Sequence, residues 1–422
     1  MTTNNIRKAN FILFMKYAHL ADLHLGSWKE EKMRELSTKA FLQAIDTCVQ
    51  DKVDFILFSG DIFNTSLPSL DTLKIVTKRL KELKDTGIPL YTIAGSHDFS
   101  PSGKTMIDVL ENAGLLQNVC QGSVNPESKQ LILRFTVDQK TGAKITGILG
   151  RKGQLDRSYY HNLNLESLEQ EPGYKIFMFH TTLTELKPKH LENIESQPAS
   201  FLPKHFNYYA GGHIHHPARI DLPEYGTLTY PGALFPNNFA EVEKYSHGGY
   251  YLISVEETVQ KVEWIPLAVM KHHALTLSSS GKSPEVLMFD ISNHFHALDV
   301  ANALITIRIE GKLERGKVSE LQFKEVFEQL YQRGAYFVMK NTAQLTTDEY
   351  EEIKLAPSSA EEAEEKIVKE HLQQLSTFEK ETELYLTKSL LNALNTSRKE
   401  GETLPDFQTR IVEEVDQLLL AE

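Results

Sequence analysis

Cysteine is almost absent from this sequence, since Cys48 and Cys120 are the only two among 422 residues. Two thiols cannot form a disulfide framework or a cysteine-based zinc site. Both also fall in segments whose composition predicts buried structure. The shortage of cysteine therefore favours a protein of a reducing, cytoplasmic compartment.

Long apolar runs are missing as well. No run reaches the roughly 18 apolar residues that indicate a membrane-spanning helix. The stretch NFILFM, residues 10–15, is shorter than the apolar region of a secretory signal peptide and lacks a small-residue cleavage site. We therefore expect a soluble, unexported protein that does not engage a membrane.

The net charge of −12 is unevenly distributed along the chain. Residues 341–422 contain 19 Asp and Glu against 8 Lys and Arg, which leaves 38 acidic and 37 basic residues before them. The main body is thus almost neutral. A polyanionic partner such as a nucleic acid is not excluded for it.

Strand and helix patterns alternate in the first third of the chain. The segments FMKYAHLA, DFILFSG and IPLYTIAG are typical of strands. Between them, residues 33–49 and 69–86 repeat apolar side chains at helical spacing, with Ser69 placed to cap the second helix and Gly87 to end it. This βαβαβ order predicts a mostly parallel sheet covered by helices.

The pattern changes twice further along the chain. LILRFTV and KITGILG predict a hairpin around DQKTGA, and with five later strands they complete a two-sheet α/β unit over residues 16–268. Residues 269–345 predict a small α+β domain, with strands at EVLMFDIS, ALITIRIEG and AYFVMKNT and a helix at SELQFKEVFEQLYQRG. Residues 1–15 are set apart as an N-terminal extension.

The C-terminal part is predicted to be an acidic linker, residues 346–357, followed by a helical segment, residues 358–422. Ser359 and Glu362 have the spacing of a capping box. Two apolar stripes at helical spacing follow, formed by Val368, Leu372, Leu375 and Phe378 and by Phe407, Ile411, Val415 and Leu418. Such stripes either pack back on the body or bind a partner.

Several of the predicted strands end in carboxylates and imidazoles. These residues are Asp22, His24, Asp61, His97, His180, His213 and His215. Because ligands bind at the carboxyl ends of strands in open α/β sheets, we expect a metal site there. Imidazole and carboxylate without thiolate suit manganese, iron or zinc, and the share of oxygen ligands favours manganese. Two ions bridged by one aspartate, about 3.5 to 4 Å apart, would suit displacement at a phosphoester.

The motifs LADLHLG, GDIF, GSHD, FH and GGHIHHP, in that order, resemble those of the calcineurin-like metallophosphoesterases. HLADLHLGS and SGDIFNTSLPS are similar in particular to the SbcD and Mre-eleven nucleases of DNA double-strand break repair. The resemblance covers roughly residues 16–265. It implies a two-sheet αββα metallophosphoesterase sandwich with a small α+β capping domain and a helical C-terminal tail.

The resemblance also implies an activity and partners. The activity would be that of a manganese-dependent DNA exonuclease or endonuclease that acts on DNA ends. The protein would be a homodimer, docked through its C-terminal helices on an SbcC-type coiled-coil ABC ATPase. Two Mn²⁺ ions are implied, with Mg²⁺, Fe²⁺ and Zn²⁺ as alternatives.

The resemblance further implies the role of each site residue. The first ion would be held by Asp22, His24, Asp61 and His215. The second ion would be held by Asp61, Ser96, His180 and His213. His97 would act on the leaving oxygen as a catalytic group, and Asp98 would orient its ring.

Two positions depart from the family pattern. Ser96 stands where the family usually has asparagine, and Asn64 stands where the nuclease branch often has histidine. A serine hydroxyl is a shorter and weaker ligand than an amide oxygen. The two departures therefore affect the second ion and the contact with the substrate strand, but not the fold.

The expected contacts with DNA come from the main body. Asn64, Lys74 and Lys78 are candidate substrate-binding residues, although a solvated helix face explains the lysines equally well. No base-reading motif is visible, so we expect contacts with phosphates and ends. Two other functions stay open: a calcineurin-like phosphodiesterase for a small substrate, and a scaffold subunit of the repair complex weakened at Ser96.

Overall fold

The computed structural model describes residues 14–100, 103–151, 155–191, 194–257, 259–347, 380–399 and 402–420. The chain divides into two compact units, residues 1–346 and 347–422. Several predictions lie outside the described residues: most of the N-terminal extension, nearly all of the acidic linker, the capping box at Ser359 and the stripe that begins at Val368. Among the described helices, none has the length and apolarity that crossing a membrane requires.

The first sheet carries the predicted βαβαβ pattern. Its strands are β1 (Phe14–Leu20), β2 (Phe55–Ser59), β3 (Leu90–Ile93), β4 (Gln117–Asn118), β13 (Gly248–Glu256) and β14 (Val259–Leu267). They lie in the order β14-β13-β1-β2-β3-β4, and β1 to β4 are parallel. Helices α1 (Glu31–Gln50), α2 (Leu70–Asp85) and α3 (Met106–Asn112) cover its outer face. The mostly parallel, helix-covered sheet is confirmed.

Local signals fix α2 as predicted. The Ser69 hydroxyl accepts a hydrogen bond from the backbone N–H of Thr72, and Gly87, at φ 81°, follows the helix. One face of the helix buries Val76, Leu80 and Leu83 against the first sheet. A cap, a glycine stop and an apolar stripe thus agree on the same limits.

The second sheet faces the first. Its strands are β7 (Thr136–Val137), β8 (Lys144–Ile148), β9 (Lys175–His180), β10 (Tyr208–Gly212), β11 (Ala218–Asp221) and β12 (Thr227–Tyr230). They lie in the order β11-β12-β10-β9-β8-β7, and helices α4 (Arg157–His161) and α5 (Leu165–Glu169) contribute to the core on its outer side. Tyr17 and Phe55 of the first sheet share a buried core with Met178 and Tyr208 of the second. This is the predicted αββα sandwich.

The predicted hairpin is shorter than expected. Only β7 and β8 pair as its arms. Leu131–Leu133, or β6, instead pairs antiparallel with β5, Gly122–Val124. The backbone N–H of Arg134 donates to the carbonyl of Gln121, so LILRFTV is divided between two sheets.

The last part of the first unit, residues 271–346, is termed the capping module. Its elements are β15 (Lys271–Ser278), α7 (Pro284–His296), β16 (Ala303–Lys312), α8 (Phe323–Gln332) and β17 (Phe337–Thr346), with the three strands parallel. The predicted strand at EVLMFDIS is wrong, because this segment lies in α7. Pro284 occupies the first turn of that helix, and Leu287, Ile291 and Phe295 are buried at helical spacing.

Helix α6 (Phe239–Tyr245) lies between β12 and β13 in the chain. Asn238 caps its N-terminus, because the side chain accepts from the backbone N–H of Glu241. It is the last helix before the capping module.

The second unit, as far as it is described, is a helical hairpin of α9 (Lys380–Leu394) and α10 (Leu404–Leu420). The predicted stripe on α10 is partly buried, while most of its other side chains are exposed. Helix α9 lies within the predicted helical segment, residues 358–422, but outside the two predicted stripes. Large apolar side chains stay exposed on both helices: Tyr385, Leu391, Leu394, Leu404, Val412 and Leu419.

Candidate metal centre

The carboxyl ends of strands from both sheets meet at one edge of the sandwich. Asp22 and His24 follow β1, Asp61 follows β2, Ser96 and His97 follow β3, His180 ends β9, and His213 and His215 follow β10. Of the seven strand-end residues predicted from the sequence, all but His213 belong to three overlapping groups of nearby ligand atoms. The expected gathering of carboxylates and imidazoles is therefore seen at this edge.

The backbone is unusual at four of these residues. Asp22, His24, Asp61 and His213 have φ angles of 50°, 42°, 52° and 89°. Side chains other than glycine rarely adopt this left-handed region, which costs on the order of 1 to 3 kcal/mol per residue. Such strain persists only where the surroundings enforce it, and it collects at functional sites.

The first group of ligand atoms is built around His24. Its Nε2 atom lies 3.1 Å from Nε2 of His215, 3.6 Å from Oδ2 of Asp61 and 4.0 Å from Oδ1 of Asp22. Asp22, His24 and Asp61 are buried, and His215 is partly buried. Two imidazole nitrogens and two carboxylates thus face a common centre.

The second group is built around His180. Its Nε2 atom lies 3.1 Å from Oδ2 of Asp61 and 4.0 Å from Oδ1 of Asp22. Its Nδ1 atom lies 2.7 Å from the carbonyl oxygen of Ser59. A carbonyl only accepts, so Nδ1 carries the hydrogen, and in the neutral ring Nε2 points a lone pair at the carboxylates.

His215 is oriented in the same way. Its Nδ1 atom lies 3.0 Å from Oε1 of Glu241, and a carboxylate also only accepts. In the neutral ring, the lone pair of Nε2 therefore faces His24. Imidazole nitrogens and carboxylates that converge in this way fit a divalent cation, and outer hydrogen bonds such as those of His180 and His215 are typical of ligating imidazoles.

The pKa shifts reflect a balance between burial and the opposite charges within the centre. Burial lowers the pKa of His24 to about 3. Burial would raise the pKa of Asp61, but His180 and His24 outweigh it and hold the pKa well below its usual range. Burial would lower the pKa of His180, yet Asp61 raises it to about 10. A carboxylate that stays ionised while buried is suited to binding a cation.

His97 sits beside this centre, but Asp98 does not orient it. Nδ1 of His97 lies 2.7 Å from the carbonyl oxygen of Asn64, and its backbone N–H donates to Oδ1 of Asp61. The Asp98 carboxylate instead accepts from the backbone N–H groups of Asp61 and Gly95, at 2.9 and 2.8 Å. The prediction that Asp98 holds the ring was wrong. A backbone carbonyl does so.

Ser96 and His213 lie less centrally. The Ser96 hydroxyl donates to Oδ2 of Asp61 across 3.4 Å. The backbone N–H of His213 donates to both oxygens of Asp22, and its exposed ring lies 5.3 Å from the ring of His180. The ring nitrogens of His213 do not enter the ligand groups found among the described residues.

Within the described part of the chain, no contact links the predicted DNA-binding lysines to the candidate metal centre. Lys74 and Lys78 are exposed on α2, and Lys78 Nζ lies 4.0 Å from Glu82. Arg79 and Lys81 on the same helix also pair with acidic groups. Much of the positive charge on this face is therefore neutralised locally.

Three residues orient the histidines, a role that was not predicted for them from the sequence, although Asn64 was predicted to bind substrate. Ser59 and Asn64 act through backbone carbonyls, for which a sequence carries no signal. Glu241 follows Asn238 by three residues, the spacing of a helix start. That signal predicts α6 but not the contact with His215.

Comparison with known proteins agrees with this geometry. The sequence profile of the calcineurin-like phosphoesterases matches residues 15–217. "DNA double-strand break repair protein Mre11" of Methanopyrus kandleri is 28% identical over 268 residues, 59% of this chain and 57% of that protein. The protein of the same name from Methanococcus maripaludis is 25% identical over 350 residues, 75% of this chain and 90% of that protein.

A solved dimetal phosphatase from Danio rerio matches 61% of this chain and 99% of its own, with 12% identity and a TM-score of 0.40. The matched region of the M. kandleri protein spans little more than half of its length. The expected enzyme class, a metal-dependent phosphoesterase, is confirmed at the level of the domain. Over residues 15–217, this chain is therefore similar to the calcineurin-like phosphoesterases.

Proposed function

We propose that this protein is a metal-dependent nuclease that hydrolyses phosphodiester bonds at DNA ends. The observation that carries the proposal is the convergence of the Nε2 atoms of His24, His180 and His215 on the carboxylates of Asp22 and Asp61. The alignment with the M. maripaludis protein supports the choice of DNA as substrate. It spans 350 residues, well beyond the 15–217 range of the phosphoesterase profile, so the relationship extends past that domain.

Two ions, proposed to be Mn²⁺, would share Asp61. The first set of ligands would be Asp22, His24, Asp61 and His215, and the second would be Asp61, Ser96, His180 and His213. When bound, such a pair activates a water and neutralises the phosphate oxygens. The buried, ionised carboxylate of Asp61 lies between the histidines of both sets.

His97 is proposed to protonate or stabilise the leaving oxygen. The Asn64 carbonyl takes the hydrogen on Nδ1, so Nε2 is the atom left for the substrate. The ring is partly exposed, as a group that meets a phosphate must be. Asp98 acts at a distance from the substrate, because it ties the backbones of Asp61 and Gly95 together.

The proposed partners fit two exposed surfaces. Leu67, Leu70 and Ile75 are exposed where α2 begins, which suits a homodimer contact. The exposed apolar residues of α9 and α10 suit an SbcC-type coiled-coil ABC ATPase. A cytoplasmic location is part of the proposal and agrees with the low cysteine content.

A phosphodiesterase for a small substrate would use the same metal centre, so the test must compare substrates. The purified protein with Mn²⁺ is given end-labelled linear duplex DNA, hairpin DNA and bis(p-nitrophenyl) phosphate. We expect DNA to be shortened or nicked near its ends, and the Asp61→Asn protein to be inactive. Turnover of the small diester alone would favour the small-substrate enzyme. No turnover of any substrate, even with the ATPase present, would favour a scaffold subunit.

A further inference from the structure

Helix α6 carries the carboxylate that orients His215. Oε1 of Glu241 lies 3.0 Å from Nδ1 of His215 and accepts from the side-chain amide of Asn238 at 2.6 Å. Oε2 accepts from the backbone N–H of Asn237 at 2.8 Å. Both oxygens of Glu241 are thus held, so its position follows that of α6.

The same helix is fastened to the capping module by charge. Glu243 accepts from Nε and Nη2 of Arg308 on β16, at 2.9 and 2.5 Å. The guanidinium also lies over the ring of Phe239, 5.4 Å from its centre. Arg308 and Glu243 are 19% and 15% exposed, so solvent screens this two-pronged pair only in part.

Apolar contacts fasten α6 to the capping module as well. Val242 is fully buried in a cluster that includes Leu304 of β16 and Met33 of α1. His272 of β15 adds a polar contact, with Nδ1 2.9 Å from the hydroxyl of Ser246 directly after the helix. Since residues two apart on a helix point about 200° apart, Glu241 and Glu243 face opposite ways. One side of α6 meets the metal centre and the other meets the capping module.

We infer that Glu241 is a positioning residue for His215, and that α6 couples the seating of the capping module to the affinity of the ion that His215 holds. The inference rests on the proposed function in one respect, namely that His215 is a metal ligand. A shift of Arg308 moves Glu243 and the rigid short helix with it. Glu241 then no longer aligns the ring of His215 with the centre.

The test measures metal binding rather than activity. Mn²⁺ is titrated calorimetrically into full-length, metal-free protein. The variants are Glu241→Ala, Glu241→Gln, Arg308→Met, Glu243→Gln and, as a matched control, Lys282→Met. Lys282 pairs with Asp290 at 2.8 Å within the capping module and has no described contact with α6.

Glu241→Ala should weaken one of the two sites by about 10- to 100-fold. Glu241→Gln should weaken it less, because an amide oxygen still accepts from Nδ1 of His215. Arg308→Met and Glu243→Gln should each weaken the same site by about 2- to 30-fold, the usual range of coupling between sites. Lys282→Met should bind like the wild type. In the Glu241→Ala background, Arg308→Met should have no further effect.

The outcomes separate this inference from the proposed function. A wild-type protein that binds no Mn²⁺ would contradict the function itself. Wild-type affinity in Glu241→Ala would overturn the positioning role. Weak binding in Glu241→Ala with wild-type binding in both Arg308→Met and Glu243→Gln would overturn the coupling. Circular dichroism checks folding, and Glu243→Gln replaces Arg308→Met if the latter does not fold.

Discussion

His180 and Asp61 meet across the two sheets of the sandwich, with Nε2 of the imidazole 3.1 Å from Oδ2 of the carboxylate. His180 ends β9 in the second sheet, and Asp61 follows β2 in the first. Glycine makes the approach possible, because a Cβ at Gly60 would lie 2.3 Å from Nδ1 of His180. A Cβ at Gly212 would lie 2.7 Å from the same atom. The metal centre thus requires glycine, which has no side chain, on both sides of this histidine.

This contact makes Asp61 the residue most sensitive to substitution. Asp61→Asn keeps an acceptor for the backbone N–H of His97 but removes the charge that both ligand sets share. We expect at least about a 100-fold loss of Mn²⁺ affinity and of nuclease rate, because losing even an outer partner of a metal ligand costs about 10- to 100-fold. Metal content by mass spectrometry and unfolding by circular dichroism are measured together. Wild-type metal content and rate would refute the two-ion proposal.

Ser96 is the residue proposed to set the strength of the second ion site. Its hydroxyl stops 3.4 Å from Oδ2 of Asp61, and beside it lies a cavity of about 480 Å³ also lined by Phe99 and Arg151. The cavity leaves room for the longer asparagine side chain. Ser96→Asn should lower the Mn²⁺ midpoint of the nuclease rate by about tenfold, by comparison with outer-shell effects. An unchanged midpoint would mean that residue 96 does not ligate the metal, and His97→Ala serves as the inactive control.

Much of the fold could be predicted because its periodic signals agree with burial. The parallel core of the first sheet and the limits of α2 follow from apolar runs, a serine cap and a glycine stop. The strand predicted at EVLMFDIS was wrong because such a short apolar run is compatible with either a strand or a helix. The helix α7 forms there because it buries one apolar face. β15 was missed because its two histidines and exposed lysine hide the alternation of a strand.

The site was predictable where residue type carries the chemistry and unpredictable where the backbone does. Carboxylates and imidazoles at strand ends mark the centre in the sequence. The Asn64 carbonyl, which is the partner of His97, cannot be recognised from residue type. Asp98 was predicted instead because it is next to His97 and carries a carboxylate. The left-handed backbone at Asp22 and His24 likewise has no mark in the sequence.

A buried histidine behind the centre predicts a pH dependence of stability. Burial lowers the pKa of His19 from 6.5 to about 3, while its ring nitrogens contact Tyr208, Thr229 and Ser59. The unfolded chain binds a proton here below pH 6.5, and the folded chain does so only near pH 3. The contribution of His19 to the free energy of unfolding is therefore complete above pH 6.5. It falls by about 1.4 kcal/mol per pH unit as the pH drops from 6.5 towards 3.

Replacing this histidine should remove that slope. His19→Gln should be less stable than the wild type at pH 7.5, because the buried hydrogen bonds are altered. The difference in unfolding free energy should shrink as the pH falls to 5. Urea unfolding of both proteins at pH 7.5, 6 and 5 measures it, and a difference that stays constant would contradict the assignment.

The start of α2 is the proposed dimer surface. Leu67 and Leu70 are 76% and 83% exposed, which is unusual for two large apolar side chains three residues apart. Leu70→Asp should weaken self-association by at least about tenfold, as losses at interface centres do. Light scattering over a micromolar concentration series measures this. Val109→Asp, at an exposed apolar residue of α3, is the matched control, and a wild-type protein that is monomeric throughout would refute the dimer.

The proposed ATPase-binding surface lies on α10. Val412 and Leu419 are both more than half exposed, and seven residues of separation place them on the same face of the helix. Changing both to aspartate should weaken binding to a purified SbcC-type ATPase by at least about tenfold. The nuclease activity of the free subunit should not change, because the metal centre lies in the other compact unit. Gln417→Asp adds the same charge at an exposed position on another face and should bind normally. If the Val412→Asp and Leu419→Asp protein keeps its helical content and its affinity for the ATPase, these helices do not form the docking surface.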